Sequence, residues 1–381
     1  MIEFAERRQR LAEAMEADGS WPDRSPWTRQ AVHVLPRHHF APERLWVWDG
    51  KAYAAVDRCH SPDEWADLVY AGPHAPAITQ LTAGRPSSSM SAPSIVVDML
   101  DSLMLDEGHR VLELGTGTGW NAGLLAWRAG DGQRVISVEV DAALADGAQA
   151  RLKAAGLDVA VAVGDGAQGW PGGALYDRVI STYAVETVPW AWVAQTRPGA
   201  RIVTPWGRLG HVALTVAPDG RSASGWMQGL ATFMPAAGVS AGRRLKEVRG
   251  DGPPDSERPL GRDLRPLRQN SSLLFALRVA LPDVQITTRE QDGGAIAWLH
   301  DGKASWATLC STADDDMAYQ GGPRRLADEI DAAWDWWLDQ GQPGLYDFGM
   351  TVTPDDQVIW VRDPEAGPYW PTAVPPAVPA A

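Results

Sequence analysis

The chain has 381 residues, 45% of them hydrophobic, and a formal net charge of -14. This length allows one large domain or two ordinary ones, each with a substantial core. The acidic balance argues against a nucleic-acid partner, which requires clustered Lys and Arg. No apolar run is long enough to predict a membrane span, so a membrane is not an expected partner either.

The cysteine and histidine patterns give no indication of a metal centre. Cys59 and Cys310 lie far apart and outside any CxxC pattern, and the histidines lack metal-ligand spacing. Neither a disulfide framework nor a zinc site is therefore expected. The charged N-terminal residues lack the apolar run of a secretory signal, so the sequence predicts a cytoplasmic protein.

The first 80 residues are predicted to form a lead region. Apolar residues at helical spacing predict an amphipathic helix over residues 3–17. Gly and Pro punctuation makes residues 50–90 rich in loops. A helix is then expected over residues 94–105, directly after Pro93, which the first turn of a helix tolerates.

Strands alternate with helices from residue 109 onwards. The predicted strands lie at residues 109–114, 134–139, 159–163, 176–181 and 201–205. Helices are predicted at 120–130, at 141–155 and ending near 196, with Asp141 as an N-cap. This alternation predicts an α/β fold with a parallel, doubly wound sheet, in a domain that spans residues 81–222.

The alternation stops after residue 222. Residues 223–268 contain a Gly-Pro breaker at 250–254 and are predicted to be a linker or mobile loop. An α+β extension is predicted over residues 269–370. Its expected elements are strands at 273–279 and 295–299, a helix at 324–339, and a hairpin of 348–352 with 358–361. The Pro- and Ala-rich residues 371–381 are predicted to form a disordered tail.

A glycine-rich turn carries the strongest functional signal. Gly115, Gly117 and Gly119 join the first parallel strand to the next helix, where free N–H groups can meet a ligand. Dinucleotide-binding enzymes use the spacing G-x-G-x-x-G at this point. The spacing G-x-G-x-G, with Glu113 two residues earlier, favours a nucleoside with an amino-acid tail over a pyrophosphate.

Two further acidic positions lie at the ends of neighbouring strands. Glu139 ends the second strand, where a carboxylate can accept hydrogen bonds from both ribose hydroxyls. Asp165 and Gly166 follow the third strand, within reach of an adenine amino group. Because the carboxyl ends of parallel strands meet at one edge of a sheet, these positions should converge with the glycine turn in one crevice.

Six segments resemble the protein-L-isoaspartate O-methyltransferase family. Over about residues 28–215, the sequence is similar to this family in the segments 35–42, 89–93, 111–120, 164–171, 176–180 and 198–207. The resemblance implies a Rossmann-like class I methyltransferase domain that binds S-adenosyl-L-methionine and methylates a carboxylate of a peptide.

The resemblance also assigns residues to roles. It implies that Ser91 orients the substrate carboxylate, with Ser89 and Ser88 as nearby alternatives. A capping role for Ser91 on the following helix is a competing interpretation. The cofactor-binding residues that it implies are Glu113, Gly115, Thr116, Gly117, Thr118, Gly119, Trp120, Asn121, Glu139, Val140, Asp165 and Gly166.

The last 150 residues or so have no expected counterpart in the housekeeping repair enzyme. The long form, including Phe233-Met234-Pro235 and residues 320–326, resembles enzymes that accompany ribosomally made, modified peptides. That resemblance implies methylation of an aspartate in a modified precursor peptide, which leads to an aspartimide and possibly to isoaspartate. The basic segment Arg243 to Arg249 and the whole C-terminal region are then predicted to recognise this peptide.

Three other functions compete with this hypothesis. The core motifs are equally compatible with a general protein-L-isoaspartate repair methyltransferase. A non-catalytic nucleoside-binding module would retain the glycine turn without methyl transfer. A nucleic-acid methyltransferase is disfavoured because residues 181–184 differ from an Asn-Pro-Pro-Tyr segment. The sequence does not predict an oligomeric state.

Overall fold

The computed structural model describes residues 4–207, 209–239, 242–291 and 293–372. The chain divides into two compact units. The first comprises Met1–Ala237 with Val352–Asp355, and the second comprises Gly238–Thr351 with Asp356–Ala381. In the described part of the chain, no helix combines the length and the apolar character that a membrane span needs.

The first unit begins with a small helical and antiparallel layer. Its elements are α1 (Phe4–Ala17), α2 (Trp27–Val34), β1 (Arg44–Trp48), β2 (Tyr53–Asp57), α3 (Pro62–Val69), β3 (Ala77–Thr82) and β4 (Arg85–Met90). The lead helix is as predicted. However, the four strands form a sheet of order β2-β1-β3-β4, where the sequence predicted mainly loops. The strands are five or six residues long and mostly partly exposed, so they lack the alternating pattern that marks a strand.

The central α/β domain follows the predicted pattern. Its elements are α4 (Pro93–Leu103), β5 (Val111–Leu114), α5 (Trp120–Ala129), β6 (Val135–Glu139), α6 (Ala142–Ala154), β7 (Ala160–Val163), β8 (Tyr176–Ser181), α7 (Trp190–Ala194) and β9 (Thr196–Trp206). Strands β7-β6-β5-β8-β9 lie in this order and pair in parallel. The predicted Rossmann-like fold class is confirmed, and the side chain of Asp141 caps α6 as expected.

The sheet does not end at residue 222. Antiparallel strands β10 (Gly210–Val216) and β11 (Ala223–Leu230) continue it beyond β9. The prediction that residues 223–268 form a linker is therefore wrong for residues 223–230. It is also wrong for residues 245–249, 256–259 and 266–268, which belong to helices and a strand of the second unit. Three of the residues 223–230 are buried, including Ala223 and Met227.

The core of the first unit joins the lead region to the sheet. Every residue of β5 is fully buried, as are Leu124 and Leu125 on α5. Phe40 and Trp65 of the lead region belong to the same cluster of buried apolar side chains. Since buried apolar area is the main stabilising contribution, the lead region is an integral part of the domain that carries the glycine turn.

The second unit is an α+β structure. Its elements are α8 (Leu245–Arg249), β12 (Ser256–Pro259), α9 (Pro266–Gln269), α10 (Ser271–Ala280), β13 (Gln285–Gln291), β14 (Gly294–His300), β15 (Trp306–Ser311), β16 (Met317–Gly321), α11 (Leu326–Asp339), β17 (Phe348–Val352), β18 (Gln357–Val361) and β19 (Tyr369–Pro371). One sheet has the order β12-β16-β15-β14-β13, and β17, β18 and β19 are neighbours. The buried faces of Trp334 and Trp337 on α11 pack inside this unit, as predicted.

Two predictions for the C-terminal half need correction. The segment 273–279 is not a strand but part of α10, which the side chain of Asn270 caps through the amides of Ser272 and Leu273. Its short apolar run has no polar alternation, and such a run does not distinguish a buried strand from a buried helix. The predicted tail begins inside β19 at Pro371, and its residues 373–381 lie outside the described residues.

Candidate active site

The glycine turn lies at the carboxyl edge of the parallel sheet. Gly115, Gly117 and Gly119 all have positive φ, at 95°, 54° and 88°. Side chains other than that of glycine rarely adopt this conformation. At Gly115 an added Cβ would also lie only 2.5 Å from the hydroxyl of Thr182. The spacing of the glycines is therefore a requirement of the backbone, and it leaves the turn free to approach a ligand closely.

Glu139 fixes the turn to the end of the neighbouring strand. Its carboxylate accepts hydrogen bonds from the N–H of Gly117 at 2.9 Å and from the N–H of Asp141 at 3.1 Å. Asp141 in turn accepts a hydrogen bond from Gln80 of β3 at 2.8 Å. The side chain of Glu139 is only 7% exposed, but it lies at the sheet edge between the turn and the start of α6.

Glu113 lies beneath the turn and has no exposed surface. It accepts hydrogen bonds from Ser137 and, at 2.8 Å, from Asn121. The hydroxyl of Thr116 lies 2.6 Å from that of Ser137 and extends this network. Burial raises the pKa of Glu113 to about 7, although its two hydrogen bonds oppose the shift. The arrangement suits a residue that shapes the turn from below.

Asp165 and Gly166 follow β7 on the other side of Glu139. Asp165 is exposed and accepts a hydrogen bond from the N–H of Ala167 at 2.9 Å. Gly166 is buried, and its carbonyl accepts a hydrogen bond from the indole of Trp192 at 2.8 Å. A Cβ added at Gly166 would lie 2.5 Å from the hydroxyl of Tyr183. The close approach of Tyr183 thus explains why position 166 requires a glycine.

Tyr183 and Thr182 are site residues that the sequence analysis did not select. Both follow β8: Thr182 faces Gly115, whereas Tyr183 faces Gly115 and Gly166. Burial raises the pKa of Tyr183, and the nearby carboxylates of Asp165 and Glu139 raise it further. Their position directly after a parallel strand was the available signal, since ligands bind at the carboxyl ends of such strands.

The serine-rich strand β4 runs past the glycine turn. A Cβ added at Gly117 would lie 3.9 Å from the hydroxyl oxygen of Ser88 and 3.9 Å from the carbonyl oxygen of Ser89. Ser91 follows two residues later, and its carbonyl accepts a hydrogen bond from Arg37 at 2.8 Å. The structure therefore brings the predicted substrate segment to the predicted cofactor turn.

The competing capping role of Ser91 is wrong. Helix α4 has Ala92 as its N-cap, and no side chain caps it. The hydroxyl of Ser91 is thus not used as a helix cap, and its role in catalysis stays a prediction.

Two predicted cofactor residues are buried in the protein interior. Trp120 is buried and donates a hydrogen bond to the carbonyl of Leu35 at 2.9 Å. Thr118 is buried too, and its carbonyl accepts a hydrogen bond from Arg151 at 3.2 Å. Both residues therefore support the turn structurally. A third predicted residue, Val140, is 55% exposed next to Glu139.

The site fits S-adenosylmethionine. A parallel sheet of the order β7-β6-β5-β8-β9 carries a glycine-rich turn, a carboxylate at the next strand end and an exposed Asp165 beyond it. These are complementary to a nucleoside with an amino-acid tail, and no cluster of metal ligands occurs among the described residues. The fold and the site define an S-adenosylmethionine-dependent methyltransferase.

Comparisons with known proteins identify the family. A model described as protein-L-isoaspartate(D-aspartate) O-methyltransferase matches residues 24–227. The chain is 35% identical to protein-L-isoaspartate O-methyltransferase 2 of Archaeoglobus fulgidus, over 54% of this chain and 81% of that protein. It is 36% identical to the protein-L-isoaspartate O-methyltransferase of Methanopyrus kandleri, over 54% of this chain and 78% of that protein. The chain belongs to the protein-L-isoaspartate O-methyltransferase family and is a carboxyl O-methyltransferase.

A solved structure named protein-L-isoaspartate O-methyltransferase extends the comparison to the C-terminal half. It has a TM-score of 0.52 at 22% identity and covers 93% of this chain and 100% of its own. The expectation that the C-terminal residues lack a counterpart in such a protein is therefore wrong at the level of fold. The resemblance to enzymes of modified-peptide pathways stays a prediction.

Proposed function

We propose that the protein transfers a methyl group from S-adenosylmethionine to the free α-carboxylate of an L-isoaspartyl residue in a peptide or protein. The observation that carries this proposal is the approach of the Ser88–Ser91 segment to Gly117. This segment places hydroxyl groups beside the turn that would hold the cofactor. The family and its relatives, named for isoaspartate, support the substrate class.

The cofactor supplies an electrophilic methyl group on a sulfonium sulfur. In this proposal Glu139 accepts hydrogen bonds from the ribose hydroxyls, and Asp165 accepts one from the adenine amino group. The turn at Gly115 and Gly117 faces the amino-acid tail. Glu113 and Asn121 act from below by fixing the shape of the turn.

The protein's task toward the substrate is alignment. A carboxylate is already ionised at neutral pH and needs no strong general base. Its oxygen has to face the methyl group in line with the departing sulfur. The hydroxyl of Ser91 would donate a hydrogen bond to the second carboxylate oxygen and hold this orientation, with Ser89 as a neighbour. The buried guanidinium of Arg37 fixes the backbone of Ser91 through its carbonyl.

The methyl ester produced by the reaction allows the isoaspartyl residue to be converted. The methyl ester is more reactive than the carboxylate, so the following backbone nitrogen attacks its carbonyl carbon. Methoxide leaves, takes up the amide proton as methanol, and a succinimide ring closes. Hydrolysis of this ring yields aspartate or isoaspartate, and repeated cycles convert the damaged residue.

The proposal is tested with two synthetic peptides that differ only in isoaspartate or aspartate at one position. The purified protein is incubated with S-adenosylmethionine and each peptide, and intact mass is followed with time. We expect one methyl group to be added to the isoaspartyl peptide and none to its partner. Methylation of the aspartyl peptide alone would contradict the proposal.

A dedicated peptide substrate is the second candidate. The Phe233-Met234-Pro235 segment lies next to the site, since the carbonyl of Met234 accepts a hydrogen bond from the N–H of Ala184 at 2.8 Å. Ala184 directly follows Tyr183. The second unit, proposed here as a substrate-recognition domain, adds surface that a large peptide could use. If neither test peptide is methylated while cofactor binding is intact, the result would favour methylation of an aspartate in a modified precursor peptide.

A further inference from the structure

A cavity of about 440 Å³ lies in the lead region, between α1, α2 and the residues that follow them. This volume is within the usual range of small-molecule sites, roughly 300–1,000 Å³. Much of its wall is apolar and includes Leu11, Met15 and Trp21. The residues of the methyl-transfer site, at Gly117, Glu139 and Asp165, do not line it.

The cavity is lined by cationic groups and by no acidic ones. Arg8, Arg29 and Arg37 are among its described lining residues, and none of those residues is Asp or Glu. Arg29 pairs with Glu16 outside the cavity and lies over the ring of Trp21 at 5.4 Å. Arg8 donates a hydrogen bond to the carbonyl of His33 at 2.5 Å. The electrostatic potential inside the cavity therefore favours an anion.

Arg37 is the most informative of these residues because its charge is buried without a counter-ion. It is 1% exposed, and none of the ion pairs found in the described part of the chain includes it. Its Nε and Nη1 donate hydrogen bonds to the carbonyls of Val69 and Ser91, whereas Nη2 has no hydrogen-bond partner. Burial lowers its pKa to about 10. The guanidinium carbon of Arg37 lies 4.6 Å from the centre of the Trp120 ring, a cation–π contact that offsets part of the cost of burying the charge, and a bound anion would offset more.

We propose that this cavity binds a small anionic amphiphile, a carboxylate attached to an unbranched apolar chain. Nη2 of Arg37 is buried, so the carboxylate would reach it through a small movement of that side chain, and the chain would lie against Leu11, Met15 and Trp21. The site is separate from the methyl-transfer site. It is also connected to it, because Nη1 of the same guanidinium holds the carbonyl of Ser91.

The test measures binding of decanoate to the full-length protein by titration calorimetry, below the concentration at which decanoate self-associates. Decanol, which has the same chain without the charge, is the matched ligand. Ala12→Trp places a large ring in the lining of the cavity, and Glu13→Trp adds the same ring to an exposed neighbour that does not line it. Binding of S-adenosylmethionine is measured for each variant as a check on folding.

We expect saturable binding of one decanoate, with decanol and the Ala12→Trp variant each weaker by at least about tenfold, or 1.4 kcal/mol. Glu13→Trp should bind decanoate like the unaltered protein. Arg37→Gln should abolish the preference for decanoate over decanol. The proposal is overturned if decanoate does not bind, if decanol binds equally well, or if Ala12→Trp leaves binding unchanged. Because methyl transfer is not measured, failure here is distinct from failure of the proposed function.

Discussion

Glu113 and Glu139 are two carboxylates on neighbouring strands, and their different surroundings give them different roles. Glu139 lies at the sheet edge and holds the turn through the backbone of Gly117. Glu113 has no exposed surface and holds only side chains of the protein, those of Asn121 and Ser137. In the proposed mechanism Glu139 is the carboxylate that would contact the nucleoside. Glu113 is a support, and its burial has a measurable consequence for stability.

Replacement of Glu113 by Gln should alter how stability depends on pH. Folding raises the pKa of Glu113 from 4.5 to about 7, so the folded state retains a proton that the unfolded state loses between these values. Stability from this residue is complete below pH 4.5 and is lost as the pH rises to about 7. We expect Glu113→Gln to gain up to roughly 3 kcal/mol over the native protein across this interval, at about 1.4 kcal/mol per pKa unit.

Urea unfolding at a series of pH values measures this difference. Glu107→Gln, at an exposed carboxylate, is the matched control and should run parallel to the native protein. Equal pH profiles for Glu113→Gln and the native protein would show that Glu113 is ionised at low cost in the folded state.

Replacement of Gly166 by Ala should lower stability because the added Cβ would clash with one atom, the hydroxyl oxygen of Tyr183. The added Cβ would lie 2.5 Å from the hydroxyl of Tyr183 but 3.3 Å from the nearest ring carbons. We expect Gly166→Ala to lower the free energy of unfolding by about 1–3 kcal/mol, the usual cost of overpacking. Combination with Tyr183→Phe, which removes that hydroxyl, should restore most of the lost free energy of unfolding.

Chemical unfolding and calorimetry with S-adenosylmethionine are the measurements for this pair. Gly172→Ala is the control, because its Cβ would make only an ordinary contact of 3.6 Å with Trp170. A double variant no better than Gly166→Ala would mean that Tyr183 does not set the requirement for glycine.

At the scale of elements, the sequence predicts regular buried structure well and exposed structure poorly. Strand β5 and helix α5 follow from an apolar run, a glycine turn and helical spacing, all of which are local signals. Strands β1 to β4 were not predicted from the sequence because their pairing depends on partners elsewhere in the chain. Helix α10 was mistaken for a strand, although Asn270 offered a capping signal. The same limit applies to the site: Glu139 and Asp165 follow from strand ends, whereas the approach of Tyr183 to Gly166 requires the folded chain.

The two serines on either side of Pro93, between strand β4 and the first turn of helix α4, are expected to differ in the effect of substitution by Ala. Ser91 caps nothing, so Ser91→Ala should leave stability nearly unchanged. Loss of a hydrogen-bond donor aligned with the reacting carboxylate should nevertheless lower kcat about 100-fold. Ser94 donates a hydrogen bond to the carbonyl of Pro73 at 2.8 Å, so Ser94→Ala should lose stability and keep its kcat.

Steady-state kinetics on the isoaspartyl peptide and thermal unfolding of both variants distinguish the two roles. Cofactor affinity should stay the same in each. An unchanged kcat in Ser91→Ala would remove this residue from the proposed mechanism and direct attention to Ser89.

At the scale of the whole molecule, the family match and the second unit bear on different questions. The match spans residues 24–227 and accounts for the reaction. The second unit has its own sheet and its own buried tryptophans on α11. The similarity of fold to a solved structure extends over nearly the whole chain, beyond the residues that the family model matches. The contribution of the second unit is better sought in substrate affinity than in chemistry.

The basic segment around α8 is where this contribution should appear. Arg244 and Lys246 are exposed in a protein whose net charge is -14, so they form a local exception that an acidic peptide could use. We expect the double substitution Arg244→Ser with Lys246→Ser to raise KM for an acidic isoaspartyl peptide severalfold, mainly at low salt, while kcat stays constant. Arg268→Ser with Arg289→Ser removes the same charge from exposed positions of the same unit and should leave KM unchanged. If both double variants behave alike at every salt concentration, the effect reflects net charge alone and α8 is not a substrate contact.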